Sequence, residues 1–390
     1  MEEWIATAVL PNVEIQNPVE GGFAAFAARG DPRVSALCQA HPNLKRFLGK
    51  FTNAFGIKLR PTVLIVKSSA PRSIFGVDAL ASFRDAVALS VVTRSRAHEI
   101  VHPRGHRINF SNSFWFYPWM LEKSYDDLVG DTPGLLGLHE VGAFRGQSSP
   151  EVPGMRLTRS DIDEPLLTAL LDRWRRCYGG SRPQWPDRAL FRSLNMANQA
   201  SQLPAGRDAT FYDVGRMIAL WVSAFEILAH PGNGKSSLWA VYDLLERVEW
   251  TLRLAGLRRY KAYEAKRKGN RRRIIACRLY GEIYRARNDF LHGNPVARNR
   301  LIVKPAKRSL FQYAAPLYRM ALAGFLPLSW SGQLPSVNEA QAFAEHVAER
   351  MDFRSYQKAV EKALLTARGK EPLPHFRQSR KLVIAAPDRS

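Results

Sequence analysis

A chain of 390 residues with 46% apolar content is too long and too hydrophobic to be disordered throughout, and long enough to bury more than one core. Its net charge of +22 points to polyanionic partners, while no run of about 18 uncharged apolar residues marks a membrane span. The opening Met1-Glu2-Glu3-Trp4 is acidic where a leader peptide is basic, and Cys38, Cys177 and Cys277 are few, distant and odd in number; a soluble cytoplasmic protein with no disulfide framework, no cysteine-based zinc site and no membrane partner is expected.

Residues 1–155 read as a mixed α/β domain without an assigned role. The β-branched run Pro61-Thr-Val-Leu-Ile-Val-Lys67 is a buried strand by composition. Asp78 opens a helix through Leu80, Phe83, Val87 and Val91, spaced for one buried face, and the chain turns extended again after Pro103 through residues 107–111 and 114–118. Pro, Gly and Ser crowd residues 132–156, which sets a domain boundary near 155.

From there the pattern is helical. A helix from about Asp161 to Tyr178 stops at Gly179-Gly180, and others are expected at 187–201, 213–229, 236–255, 271–292 and 309–324, so residues 156–330 form a bundle. Ser336-Val-Asn-Glu339 resembles a capping box that opens a last helical segment to about Ala367 within residues 331–390, which end in a basic tail. The expected class is α+β: an N-terminal mixed α/β domain followed by an all-α bundle.

The charge is unevenly spread. Residues 251–300 carry fifteen Lys and Arg against three Asp and Glu, whereas residues 1–150 carry sixteen against thirteen. A field concentrated in this way attracts nucleic acid by neutralising phosphates. The RNA-binding candidates are Arg258, Arg259, Lys261, Lys266, Arg267, Lys268, Arg271, Arg272, Arg273, Arg278 and, beyond them, Arg285. Tyr260 and Tyr263 lie between these cations and offer faces for stacking on unpaired bases; the plainer alternative is a basic loop whose tyrosines pack inward.

At the end of this region, Leu279, Ile283, Ala286 and Phe290 form a buried stripe on one helix, with Asn288, His292 and Arg285 on the opposite side and Arg287 flanking the stripe. Gly293 and Pro295 end the helix. Arg287-Asn-Asp-Phe-Leu-His292 resembles the Arg-x(4–6)-His motif of HEPN domains. The wider setting is similar to the Apea-like branch of that family: Ala224-Phe-Glu-Ile-Leu228, the Pro231-Gly-Asn-Gly234 loop, a long amphipathic helix and the Arg-Asn…His-Gly ending, with a fainter likeness at Phe116-Tyr-Pro-Trp119. The resemblance covers roughly residues 208–325.

It implies a HEPN-like helical bundle acting as a metal-independent endoribonuclease without cofactor, with Arg287, Asn288 and His292 as the catalytic set. The resemblance further implies a homodimer, an inhibitory partner protein, and a toxin–antitoxin or phage-defence setting. The chemistry suits those side chains. Histidine near neutrality can take the proton of a ribose 2′-hydroxyl, and a permanently charged guanidinium can stabilise the phosphorane. In an ideal helix Arg287 and His292 lie about 140° apart, so either the last turn unwinds or two chains pool their residues. The alternatives are an inactive HEPN module that binds RNA or a protein partner, and a structural pair in which His292 answers the helix dipole.

Two other motifs compete. His98-Glu-Ile-Val-His102 matches the zinc-peptidase pattern H-E-x-x-H, with Glu122 and Asp126 as candidate further carboxylates, but Pro103 forces His102 out of helical geometry. Ala229-His-Pro-Gly-Asn-Gly-Lys-Ser236 fits a relaxed phosphate-loop pattern, yet Trp221, Phe225 and Leu228 before it have helical rather than strand spacing.

Overall fold

The computed structural model describes residues 3–53, 55–103, 109–117, 120–132, 135–146, 154–180, 182–202, 210–234, 237–264, 271–304, 306–326, 328 and 339–368, and their fold is α+β. The chain opens with strands β1 (Trp4–Leu10), β2 (Val13–Ile15), β3 (Val19–Glu20) and β4 (Ala24–Ala27). Helices α1 (Pro32–Ala40) and α2 (Pro42–Leu48), strand β5 (Thr62–Lys67) and helix α3 (Val77–Val101) follow. The run expected as a buried strand is β5, an inner strand of an antiparallel sheet of order β1-β5-β4-β3.

Because side chains alternate across a strand, this sheet serves two cores. Val63 and Ile65 of β5, with Ala25 and Ala27 of β4, face a smaller core closed by α1, α2 and the meander β6 (Met120–Leu121), β7 (Asp127–Thr132) and β8 (Leu135–Glu140). Leu64 and Val66, with Ala24 and Phe26, face the larger core, where Phe83 of α3 meets Phe26 edge-on with 5.1 Å between ring centroids.

Strand β9 (Met155–Leu157) pairs in parallel with β2, and the rest of the chain is mainly helical. In order come α4 (Glu164–Gly179), α5 (Trp185–Ala200), α6 (Phe211–Leu228), α7 (Leu238–Glu246) and α8 (Arg253–Leu257). A ribbon of β10 (Tyr260–Lys261) with β11 (Arg272–Arg273) leads to α9 (Ile275–Leu291), and a second ribbon of β12 (Ile302–Val303) with β13 (Arg308–Ser309) leads to α10 (Leu310–Phe325) and α11 (Ala340–Leu365).

Local chemistry accounts for several boundaries. Asp163 caps α4 by accepting the Leu166 N–H, and Gly180 ends it; Thr210 and Asp213 form a capping box on α6. The helix expected over 236–255 is instead two. The Glu361 carboxylate of α11, wholly buried, accepts the backbone N–H groups of Thr251 (2.8 Å) and Leu252 (2.6 Å) and holds the chain turned between α7 and α8. The helix expected from 271 starts only at Ile275, because Arg272 and Arg273 pair with Lys261 and Tyr260 as strand.

Of the extended segments expected after Pro103, residues 107, 108 and 118 lie outside the described residues, and Ser111–Phe114 is a buried 3-10 turn. Lys266, Arg267, Lys268, Trp119, Lys235 and Ser236 also lie outside them, as do Ser336, Asn338 and the basic tail. The last described helix, α11, occupies the segment expected up to Ala367.

The smaller core lies wholly before the boundary expected near 155, and the larger core has members on both sides of it. Helix α3, read from sequence as buried on one face, is buried on every side from Ala86 to Val92; Ser90 and Thr93 direct their hydroxyls to the carbonyls of Ala86 and Leu89, each at 2.8 Å. It packs against α4, α5, α10 and α11, so one core runs from Ala8 to Ala367. No described helix is long and apolar enough to cross a membrane.

Candidate active site

The apolar stripe of α9 is placed as its spacing requires. Leu279, Ile283 and Ala286 are buried against the bundle, and half-buried Phe290 lies 5.5 Å from the ring of Phe211 on α6. Gly215 makes that approach possible, since a Cβ there would stand 2.5 Å from the Phe290 ring. This contact pins the C-terminal end of α9 to the first turns of α6.

Arg287 projects from the packed side toward α6. Its Nη1 donates to Asn288 Oδ1 at 3.0 Å, its Nη2 stands 3.9 Å from the Glu226 carboxylate, and the guanidinium lies 5.9 Å from the Tyr284 ring centroid. Arg287 Nε is enclosed with no hydrogen-bond partner among the described residues, as is the Tyr280 hydroxyl. Burial raises the Glu226 carboxyl above its ordinary range, with Arg287 opposing that rise, and burial drives the Tyr280 hydroxyl well above the usual phenol.

His292 occupies the C-cap of α9. Its backbone N–H reaches the Asn288 carbonyl at 3.0 Å and its imidazole is exposed. The helix is regular through Leu291, so the last turn does not unwind. Helical side chains lean toward the N-terminus, and Arg287 follows that rule toward Tyr284 and Glu226, away from the cap that carries His292. Arg287 and Asn288 are therefore joined by their side chains, and Asn288 meets His292 through the backbone.

The basic residues divide by burial. Arg259, Lys261, Arg271, Arg272 and Arg285 are exposed, and Arg258 and Arg278 are half-buried. Arg273 is buried, donates to Glu246 at 2.7 Å and sits 4.9 Å from the ring centroids of both Trp239 and Tyr242; its expected role on RNA gives way to a structural one. Tyr260 is buried in the β10–β11 ribbon, with Arg258 and Arg278 against its ring at 5.6 and 5.8 Å, and so cannot stack on a base. Tyr263 is half-buried between Tyr284 and Arg285. The inward reading holds for Tyr260, while Tyr263 stays half-buried.

Sequence reasoning did not assign Glu226, Tyr280 and Tyr284 to this site. A signal existed for Glu226, the one carboxylate of the apolar stretch Val214–Leu228 within α6; its pairing with Arg287 is tertiary and has no spacing rule.

The competing motifs are also placed. His98 and His102 stack with ring centroids 4.7 Å apart at the end of α3. Glu99, the base of the peptidase reading, is instead buried between Arg96 Nη1 (3.1 Å) and Gln312 Nε2 (3.4 Å). Glu122 bonds Ser124, Asp126 accepts from Asn43, and no group of three or more His, Cys, Asp or Glu among the described residues is arranged to hold a metal ion. The phosphate-loop candidate follows a helix, not a strand; Gly232 and Gly234, with φ of 99° and 74°, turn the chain from α6 toward α7. Burial raises the Cys177 thiol to about 11 and the Cys277 thiol still higher, which suits inert packing.

Compared with family models, with curated proteins and with solved structures, the chain finds no match in any of the three.

Proposed function

We propose that this protein is a metal-independent endoribonuclease of HEPN type, working through Arg287, Asn288 and His292. The observation that carries the reading is the end of α9: a half-buried, side-chain-held arginine and an exposed histidine, five residues apart, with exposed Arg285 two turns before the histidine and Arg259, Lys261, Arg271 and Arg272 exposed toward the other end of the helix. His292 takes the proton of the 2′-hydroxyl, the freed oxygen attacks phosphorus, Arg287 stabilises the added charge, and the P–O5′ bond breaks as the 5′-oxygen takes a proton from water. The products are a 2′,3′-cyclic phosphate and a 5′-hydroxyl.

With α9 regular to Leu291, positions 287 and 292 stay about 140° apart around the helix axis, which supports a homodimer in which one chain's Arg287 works with the other's His292. An inhibitory partner and a role in toxin–antitoxin or phage-defence systems remain within this reading. A second reading, an inactive RNA-binding module, is favoured by one observation: Arg287 already has Asn288 and Glu226 as partners.

The chemistry is tested on an RNA with a single 2′-deoxy substitution at its main cleavage site. Cleavage there should cease while other sites are still cut, and the ends should be cyclic phosphate and 5′-hydroxyl. Binding of intact RNA with no cut at any site would favour the inactive module.

A further inference from the structure

Along α9, steps of four, three, four and three residues place Arg278, Glu282, Arg285, Asp289 and His292 on one outward face, away from the Arg287 side. Beside the first two lies an open cavity of about 330 Å³ between α9 and the β12–β13 ribbon. Its floor is apolar, made by Leu279, Ile302, Val303 and Leu310, and its polar lining is Arg278, Glu282, Asn299, Arg300 and Lys304. Arg300 bridges Glu282 (3.2 Å) and Asp289 (3.3 Å), and its Nη2 is enclosed with no hydrogen-bond partner among the described residues. Arg278 and Lys304 form no ion pair with the described residues, so the rim keeps cations to offer.

We infer that this cavity is a subsite for one nucleotide of a single-stranded RNA, its base on the apolar floor and its phosphate between Arg278 and Lys304. The inference rests on the proposed ribonuclease reading and names where its substrate is held. A volume near 330 Å³ lies at the small end of ligand sites and admits one splayed-out base, not a duplex. Ten residues of helix separate Glu282 from His292, roughly 15 Å at about 1.5 Å per residue, so a strand reaching the histidine from this subsite spans a few nucleotides. An acidic peptide would meet the same cations but would leave the apolar floor without a flat ring to cover it.

The test uses the full chain and a short fluorescent oligoribonucleotide, 2′-O-methylated so that it cannot be cut, with one 4-thiouridine for photocrosslinking. Crosslinks should fall on residues 299–304, be suppressed by adenosine monophosphate, and persist in His292→Ala. The double variant Arg278→Ala with Lys304→Ala should weaken binding about ten-fold at low salt, with an unchanged circular dichroism spectrum. Ile302→Asp, at an exposed floor position, should do the same independently. Crosslinks confined to the β10–β11 ribbon, with full affinity in both variants, would overturn the subsite. So would a photoreactive poly-glutamate peptide that labels 299–304 without competition from adenosine monophosphate, which would assign the cavity to a protein partner. If RNA is cleaved normally but the crosslinks fall elsewhere, the ribonuclease stands and the subsite does not; crosslinks at 299–304 without cleavage by the unmodified chain support the subsite and remove the nuclease.

Discussion

Glu226 and Arg287 stand 61 positions apart in sequence and 3.9 Å apart in space. Burial raises the Glu226 carboxyl, so between its unfolded value of about 4.3 and its higher folded value the native chain holds more protons than the unfolded one, and stability falls as pH rises through that window. Glu226→Gln removes this slope. Its melting temperature relative to the unmodified chain should therefore climb from pH 4 toward neutrality, and an offset constant with pH would contradict the burial of that carboxyl. Arg287→Ala leaves the carboxyl without its cation and should cost about 1–3 kcal/mol, measured by urea unfolding. The exposed His292, by contrast, can be replaced by alanine with no change in midpoint. Arg287, Asn288 and His292 were legible because their order along one helix is local, whereas the partners that aim Arg287 at α6 come from the fold.

At the scale of elements, the stretch read as one long basic surface is two kinds of structure. Neighbouring Arg272 and Arg273 show the division: strand pairing with Lys261 and Tyr260 sends one outward and buries the other against Trp239, Tyr242 and Glu246. Arg273→Ala should cost about 2 kcal/mol of stability through its lost charged hydrogen bond. Arg272→Ala should leave stability unchanged and weaken RNA binding, with a shallower salt dependence in a filter or anisotropy assay. Equal effects from the two would mean that the ribbon does not persist in solution. Helix α9 could be read from its apolar stripe, but a strand pairing as short as that of β10 with β11 carries no period. Similarly, the break between α7 and α8 depends on a carboxylate from α11, over a hundred residues away.

For the whole molecule, α3 is buried further than the one face its spacing suggested. Its apolar spacing suggested a single covered face because Ser90, Thr93 and Ser95 interrupt the pattern, yet the first two are satisfied within the helix and need no solvent. A further tie crosses the bundle: Arg319 of α10 donates to Asp163 at 2.9 Å and reaches Gln357 of α11 at 3.5 Å, with Arg319 and Asp163 both almost wholly buried. Asp163→Ala strands that guanidinium and removes the cap of α4, and should destabilise by about 4 kcal/mol. With one core shared by sheet and bundle, tryptophan fluorescence and circular dichroism should follow one urea transition; two separated transitions would show that the halves fold independently.

The direct test of the proposed chemistry is RNA cleavage in excess EDTA by the unmodified chain, His292→Ala and Arg287→Ala. The expected result is cutting that survives the chelator and falls at least about a hundred-fold in each variant, with partial recovery when the two inactive variants are mixed and allowed to form mixed dimers. Cleavage that stops in EDTA, or that continues undiminished without His292, would contradict it.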